Sequence, residues 1–276
     1  MITFNTFKNT FLFSIIIGFV LMFSCVNKVK NEKAFNEEVL EQIDIEKSII
    51  VGANQTENYL GLLKGKRIGV VANQTSVVFK DEANKNYTHL VDSLMALEVD
   101  IKKVFAPEHG FRGTADAGEH VKDDIDTKTN LPIVSLYGKN RKPSKEQLKD
   151  IDIMIFDIQD VGARFYTYIS TLHYIMEACA EADTPLLIFD RPNPNGHYVD
   201  GPTLEIENSS FVGKHPIPLV HGMTIGEYAQ MINGENWLTV GIKCDITIIP
   251  IKHYTHDTFY SLPIRPSPNL PHDHSI

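Results

Sequence analysis

The chain has 276 residues, with 26 Lys plus Arg against 35 Asp plus Glu and a formal charge of −9 at pH 7. That balance argues against a nucleic-acid partner, whose phosphates call for a basic face. Three cysteines are too few for a disulfide framework, and the length suits one substantial domain with at most the beginnings of a second.

The first segment carries Lys8, an apolar run from Phe11 to Phe23, then Ser24 and Cys25. This is the layout of a secretory signal, with a hydrophobic stretch too short for a comfortable membrane span. Residues 1–24 are therefore expected to be a lipoprotein signal peptide. Leu21-Met22-Phe23-Ser24-Cys25 resembles a bacterial lipobox, which implies cleavage before Cys25 and a lipid on its thiol; a plain signal anchor is the competing reading. A membrane contact through that anchor and a place in the cell envelope follow. Residues 25–48 are rich in Lys, Glu and Asn and read as a flexible tether, since they hold too little apolar surface to fold. Cys179 and Cys244 lie in apolar stretches and are expected to be buried thiols.

Residues 49–262 alternate short β-branched runs with helical periodicity. Strands are expected at Arg67 to Ala72, Ile101 to Ala106, Ile133 to Tyr137, Ile151 to Ile158, Pro185 to Phe189 and Lys243 to Ile249. Helices are expected over Tyr87 to Leu97, from the capping box at Ser144 to Lys149, over Tyr168 to Ala182, and from the capping box at Thr224 through Ile232 to a stop at Asn233-Gly234. The run around Met154 is too continuously apolar for a strand with one wet face. This alternation predicts an α/β fold, a doubly wound and mostly parallel sheet. Residues 263–276 carry Pro263, Pro266, Pro268 and Pro271 and read as a connector, because proline suits neither a helix interior nor a central strand.

Polar residues gather directly after the expected strands: Asn73-Gln74-Thr75-Ser76, Glu108-His109, Tyr137-Gly138, Asp157-Ile158-Gln159-Asp160 and Asp190-Arg191. In an open parallel sheet these strand ends share one edge, so five segments can line one cleft. Glu108 sits between Pro107 and Gly110, with Arg112 close by as a cation to tune its charge. The competing reading of that turn is a solvated loop. Tyr166 offers an aromatic face near the same edge, although aromatics that open a helix are as often core. No GxGxxG follows the first strand and no GxxxxGK[ST] occurs anywhere, so no nucleotide cofactor is expected. Asp157, Asp160 and Asp190 could hold a divalent ion, hydrogen-bond sugar hydroxyls or fix Arg164 and Arg191; without His-x-x-x-His or Asp-x-Asp spacing, no metal is expected.

The ordered set Pro107-Glu108-His109-Gly110-Phe111-Arg112-Gly113, Asp157 to Tyr168, Asp190-Arg191-Pro192-Asn193-Pro194 and Pro266 to Pro271 resembles the NamZ-type exo-β-N-acetylmuramidases, from about Gly52 to Pro271. The resemblance implies a Rossmann-like domain, a smaller C-terminal domain with the cleft between them, and release of N-acetylmuramic acid from the non-reducing end of peptidoglycan fragments. It places the proposed catalytic glutamate on Glu108. A glycosidase needs an acid for the leaving oxygen and often a second carboxylate, for which Asp157, Asp160 and Asp190 compete and Asp160 looks best placed. A 2-acetamido sugar also permits attack by its own carbonyl, which would leave no nucleophilic role for that carboxylate. Asn73, His109, Arg112, Asp157, Arg164, Tyr166, Asp190 and Arg191 are the candidate substrate-binding groups, the three arginines toward the lactyl carboxylate. Family members continue into the second domain, so a C-terminally truncated member is expected, with that domain largely missing. The competing function is a muropeptide-binding envelope lipoprotein or an inactive fragment.

Overall fold

The computed structural model describes residues 48–81, 86–113 and 123–267. In chain order these hold helix α1 (Thr56–Leu63), strands β1 (Ile68–Ala72), β2 (Val77–Phe79) and β3 (Tyr87–His89), helix α2 (Leu90–Ala96), and strands β4 (Ile101–Ala106), β5 (Asp124–Ile125) and β6 (Pro132–Ser135). There follow α3 (Lys145–Leu148), β7 (Ile153–Asp157), α4 (Tyr168–Glu181), β8 (Leu186–Phe189), α5 (Ile225–Gly234) and β9 (Ile246–Ile249). Strand β1 is buried at every position, as a strand covered on both faces must be. It lies inside a sheet of order β5-β6-β4-β1-β7-β8-β9, in which every neighbouring pair is parallel except the antiparallel β5 and β6. Numbered among themselves, the six parallel strands run 3-2-1-4-5-6 in space, the Rossmann arrangement. The winding reverses between β1 and β7, so a crevice opens at their carboxyl ends.

Successive strand residues face opposite layers. Val71, Met154, Phe156, Leu186 and Ile188 pack with α4 and α5, while Ile68, Val70, Ile155, Leu187 and Phe189 pack with α1 and α2. The sheet is thus covered on both faces, which makes it an α/β fold of the doubly wound kind. Cys179 and Cys244 are both buried and unoxidised.

One expected element differs. Tyr87–His89 belongs to a strand rather than to the helix that follows, because Val77–Phe79 offers it an antiparallel partner and Lys80 N donates to Asn86 O at 2.7 Å. The helix starts at Leu90, where the His89 ring accepts from Val91 N at 3.3 Å and supplies the cap. The capping boxes at Ser144 and Thr224 form reciprocally. The expected signal peptide, Cys25, the expected tether to residue 47 and the part of the expected connector beyond residue 267 lie outside the described residues. Within them, no helix is long and apolar enough to cross a membrane.

Candidate active site

Glu108 stands two residues beyond β4, on a turn closed by Gly110 N donating to Pro107 O at 3.1 Å. His109 occupies the third position of that turn with φ 70°, the left-handed conformation that a type II turn requires there and that few side chains adopt. His109 is itself buried. The Glu108 carboxylate accepts from Thr167 Oγ1 at 3.4 Å. Tyr137, just beyond β6, faces the same carboxylate, and partial burial together with the Glu108 charge raises its hydroxyl pKa.

The loops after β1 and β7 are tied to each other. Gln159 N donates to Thr75 Oγ1 at 3.0 Å, and the Ser76 hydroxyl donates to Asp157 O. This brings Asn73 and Asp160 to the crevice between the two strands. Asp160 is buried, and its Oδ2 accepts from Gly162 N at 2.7 Å. Gly162 has φ 77°, and a Cβ on it would lie 2.3 Å from Asn193 Oδ1, so only glycine closes this turn. His221 Nε2 lies 3.6 Å from the same Asp160 oxygen, while its Nδ1 accepts from Met223 N at 3.2 Å. That backbone donor leaves the ring proton on Nε2, aimed at Asp160. Tyr166 meets Tyr168 edge to face at 5.0 Å, and burial drives the hydroxyl pKa of both far upward.

Six buried side-chain atoms lack a hydrogen-bond partner among the described residues: Asn73 Nδ2, Gln74 Oε1, Asp160 Oδ1, Tyr166 Oη, His221 Nε2 and Tyr260 Oη. Buried polar atoms are normally paired, since each one left alone costs about 1–3 kcal/mol. Asn73, Gln74 and Asp160 lie in the loops after β1 and β7, Tyr166 lies just before α4, and His221 faces Asp160 at 3.6 Å, so most of these atoms gather at one sheet edge, where an outside polar molecule could complete their bonding.

Other expected site residues are engaged elsewhere. Arg191 and Asp157, 2% and 0% exposed, form a buried two-pronged ion pair at 2.6 and 2.9 Å, and Arg191 also donates to Val77 O. Burial opposes the charge on Arg191, but Asp157 outweighs it and the pKa rises. Asp190 accepts from Thr224 Oγ1 at 2.8 Å and Gly226 N at 2.9 Å, anchoring the first turn of α5; burial pushes its pKa up to about 6 against those bonds. The Arg112 guanidinium is divided between Asp92 and Asp126. Burial tends to raise the Asp126 pKa, yet Arg112 and Thr129 hold it down at about 2. Folded partners thus already engage Asp157, Asp190, Arg191 and Arg112, and Asp157 fixes Arg191 as one of the expected alternatives has it. Arg164 Nη1 reaches only backbone, Pro202 O at 2.7 Å and Ile217 O at 2.6 Å. No group of three or more His, Cys, Asp or Glu among the described residues could hold a metal ion.

The model of the family described as exo-beta-N-acetylmuramidase NamZ, N-terminal, matches residues 68–274. The chain belongs to the NamZ family. It is 47% identical over 220 residues to the peptidoglycan beta-N-acetylmuramidase NamZ of Bacillus subtilis (strain 168), covering 78% of this chain and 51% of that protein. Two solved structures of DUF1343 family proteins from Bacteroides fragilis are also similar. One is 51% identical with TM-score 0.71 and the other 38% identical with TM-score 0.73, covering 81% and 83% of this chain and 57% and 58% of theirs. The chain thus spans about half the length of the curated NamZ relative that it matches.

Within this NamZ fold, sequence reasoning missed His221, Thr167 as a partner of Glu108, and the amide of Gln74. Gln74 and Thr167 lay in segments marked by position alone. His221 had no signal, since no strand precedes it; it reaches Asp160 only because His221 N bonds Gly162 O at 3.1 Å.

Proposed function

We propose that this edge acts as an exo-β-N-acetylmuramidase, hydrolysing the β-glycosidic bond between a terminal N-acetylmuramic acid and the rest of a peptidoglycan fragment. The observation that carries the reading is the group of unpaired buried polar atoms on Asn73, Gln74, Asp160 and Tyr166, at the sheet edge that also carries Glu108. The Bacillus subtilis relative, a peptidoglycan beta-N-acetylmuramidase, agrees with it. In this account Glu108, on its glycine-flanked turn, donates a proton to the leaving oxygen and then takes one from water. Asp160 serves either as the second carboxylate or as the group that orients the 2-acetamido carbonyl for its own attack. Asn73, Gln74 and Tyr166 offer the amide and hydroxyl groups that hold the sugar. Arg164, which meets carbonyls rather than carboxylates, keeps a charge for the lactyl carboxylate.

Glu108→Gln should lower turnover of a chromogenic β-N-acetylmuramide by about 10²–10⁴-fold while leaving N-acetylmuramic acid binding within a few-fold. Undiminished turnover would remove Glu108 from the chemistry. A lipid on Cys25 holds the protein at the cell envelope in this proposal, supported by the lipobox-like Leu21 to Cys25. Cys25→Ser should then shift the protein from the membrane fraction to the soluble one; an unchanged distribution counts against the anchor.

A further inference from the structure

Three buried polar side chains that the proposed chemistry leaves unused form a hydrogen-bonded column inside the domain. His173 on α4, His215 in the loop between β8 and α5, and Tyr228 on α5 are 4%, 3% and 0% exposed. His215 Nε2 meets His173 Nδ1 at 2.9 Å, and His215 Nδ1 meets the Tyr228 hydroxyl at 2.9 Å. The Trp237 ring stacks on His215 at 4.3 Å and 15°, which covers one face of that imidazole. Burial keeps both imidazoles neutral at pH 7, so each bond shares a single proton and no charge is locked in the column. Packing alone does not call for these groups. Leucine or phenylalanine would join α4 to α5 without the cost of desolvating three polar side chains, whereas a bonded polar network fixes one arrangement of its members.

The end of the column reaches the candidate site. The Tyr228 ring lies 5.3 Å from the His221 ring, tilted by 57°. The His221 Nε2 proton points at Asp160 Oδ2, 3.6 Å away, a gap beyond a normal hydrogen bond. Backbone holds this imidazole at its other nitrogen, through Met223 N at 3.2 Å. The tilt of the ring, and with it the reach of Nε2, is set by the surface against which the ring packs. Burial and then the Asp160 charge drive the Tyr228 hydroxyl pKa far upward, so the hydroxyl senses the same carboxylate.

We propose that Tyr228 is a positioning residue: anchored by His215 and His173, its ring holds the His221 imidazole toward Asp160. The contact stands on the geometry; its use in sugar cleavage rests on the muramidase reading, in which His221 steadies the carboxylate that works beside Glu108.

The test begins with kcat and KM of this chain on a chromogenic β-N-acetylmuramide. Tyr228→Phe keeps the ring but frees it from His215, and should lower kcat by about tenfold with KM held within about twofold. In a His221→Gln background the same change should cost less than about twofold, since Tyr228 acts through that imidazole. A merely structural tyrosine would lower activity equally in both backgrounds; that result, or an unchanged kcat in Tyr228→Phe, overturns the proposal. If the unaltered protein cleaves nothing, the muramidase reading fails, and the ring-nitrogen resonances decide the contact on their own. Asp160→Asn should shift those of His221 and, through Tyr228, those of His215; unmoved His215 resonances overturn the contact. This measurement leaves Tyr228 in place and holds even where Tyr228→Phe does not fold.

Discussion

At the scale of single residues, charge is divided between two tasks by whether a partner lies within the fold. Asp157 and Asp160 are three positions apart and look alike in the sequence. Asp157 ends β7 and turns into the sheet onto Arg191, whereas Asp160 keeps one buried oxygen unpaired. Removing one member of a buried pair leaves the other charge desolvated, so Arg191→Leu should cost about 3–5 kcal/mol in urea unfolding. A loss under about 1 kcal/mol would mean that Asp157 is not charged there. The sequence does not separate acids and arginines paired within the fold from those with an open position, because the acids that engage Arg112 come from positions 92 and 126, joined to it only by folding.

At the scale of elements, local chemistry was legible wherever it is self-contained. The strand of Ile101–Ala106 and both capping boxes follow from β-branched continuity and from Ser or Thr set three residues before Gln or Glu. The strand Tyr87–His89 was hidden because its reason is a partner strand about ten residues away, and α1 because its short apolar stripe gives little periodicity. Gly226, in the first turn of α5, shows how packing overrides propensity. Alanine there would gain up to about 1 kcal/mol of helix preference. Its Cβ would lie 2.8 Å from Asp190 Oδ2 and 3.0 Å from Ile248 Cγ2, displacing the carboxylate that anchors this turn. Gly226→Ala should therefore destabilise the fold by about 1–3 kcal/mol, read from the thermal midpoint. A higher midpoint would show that the Asp190 contact contributes little.

For the whole molecule, buried imidazoles set the response to pH. Burial holds His89 and His173 at about 4 and His215 at about 3, the last two joined at 2.9 Å with His215 also bonded to the Tyr228 hydroxyl. In the unfolded chain these rings take protons near their ordinary value of 6.5, so below that pH the unfolded state binds more protons and stability falls. His256 and Asp190 have the opposite sign: Glu227 raises the His256 pKa and burial raises that of Asp190 to about 6, so their contributions are present at low pH and are lost as pH rises through those values. His256 is half exposed and correspondingly weak, and the three buried imidazoles together outweigh Asp190. The urea midpoint should thus drop between pH 7 and pH 4.5, and an equal or higher midpoint at pH 4.5 would contradict the buried neutral histidines. The central claim is that the strand-end cleft around Glu108 releases a terminal muramic acid. It is tested most directly by incubating this chain with a disaccharide of N-acetylmuramic acid β-linked at the non-reducing end of N-acetylglucosamine, and identifying the products by mass spectrometry. The unaltered protein should give free N-acetylmuramic acid and N-acetylglucosamine and Glu108→Gln should leave the disaccharide intact; disaccharide that binds but is never cleaved by the unaltered protein would contradict that claim.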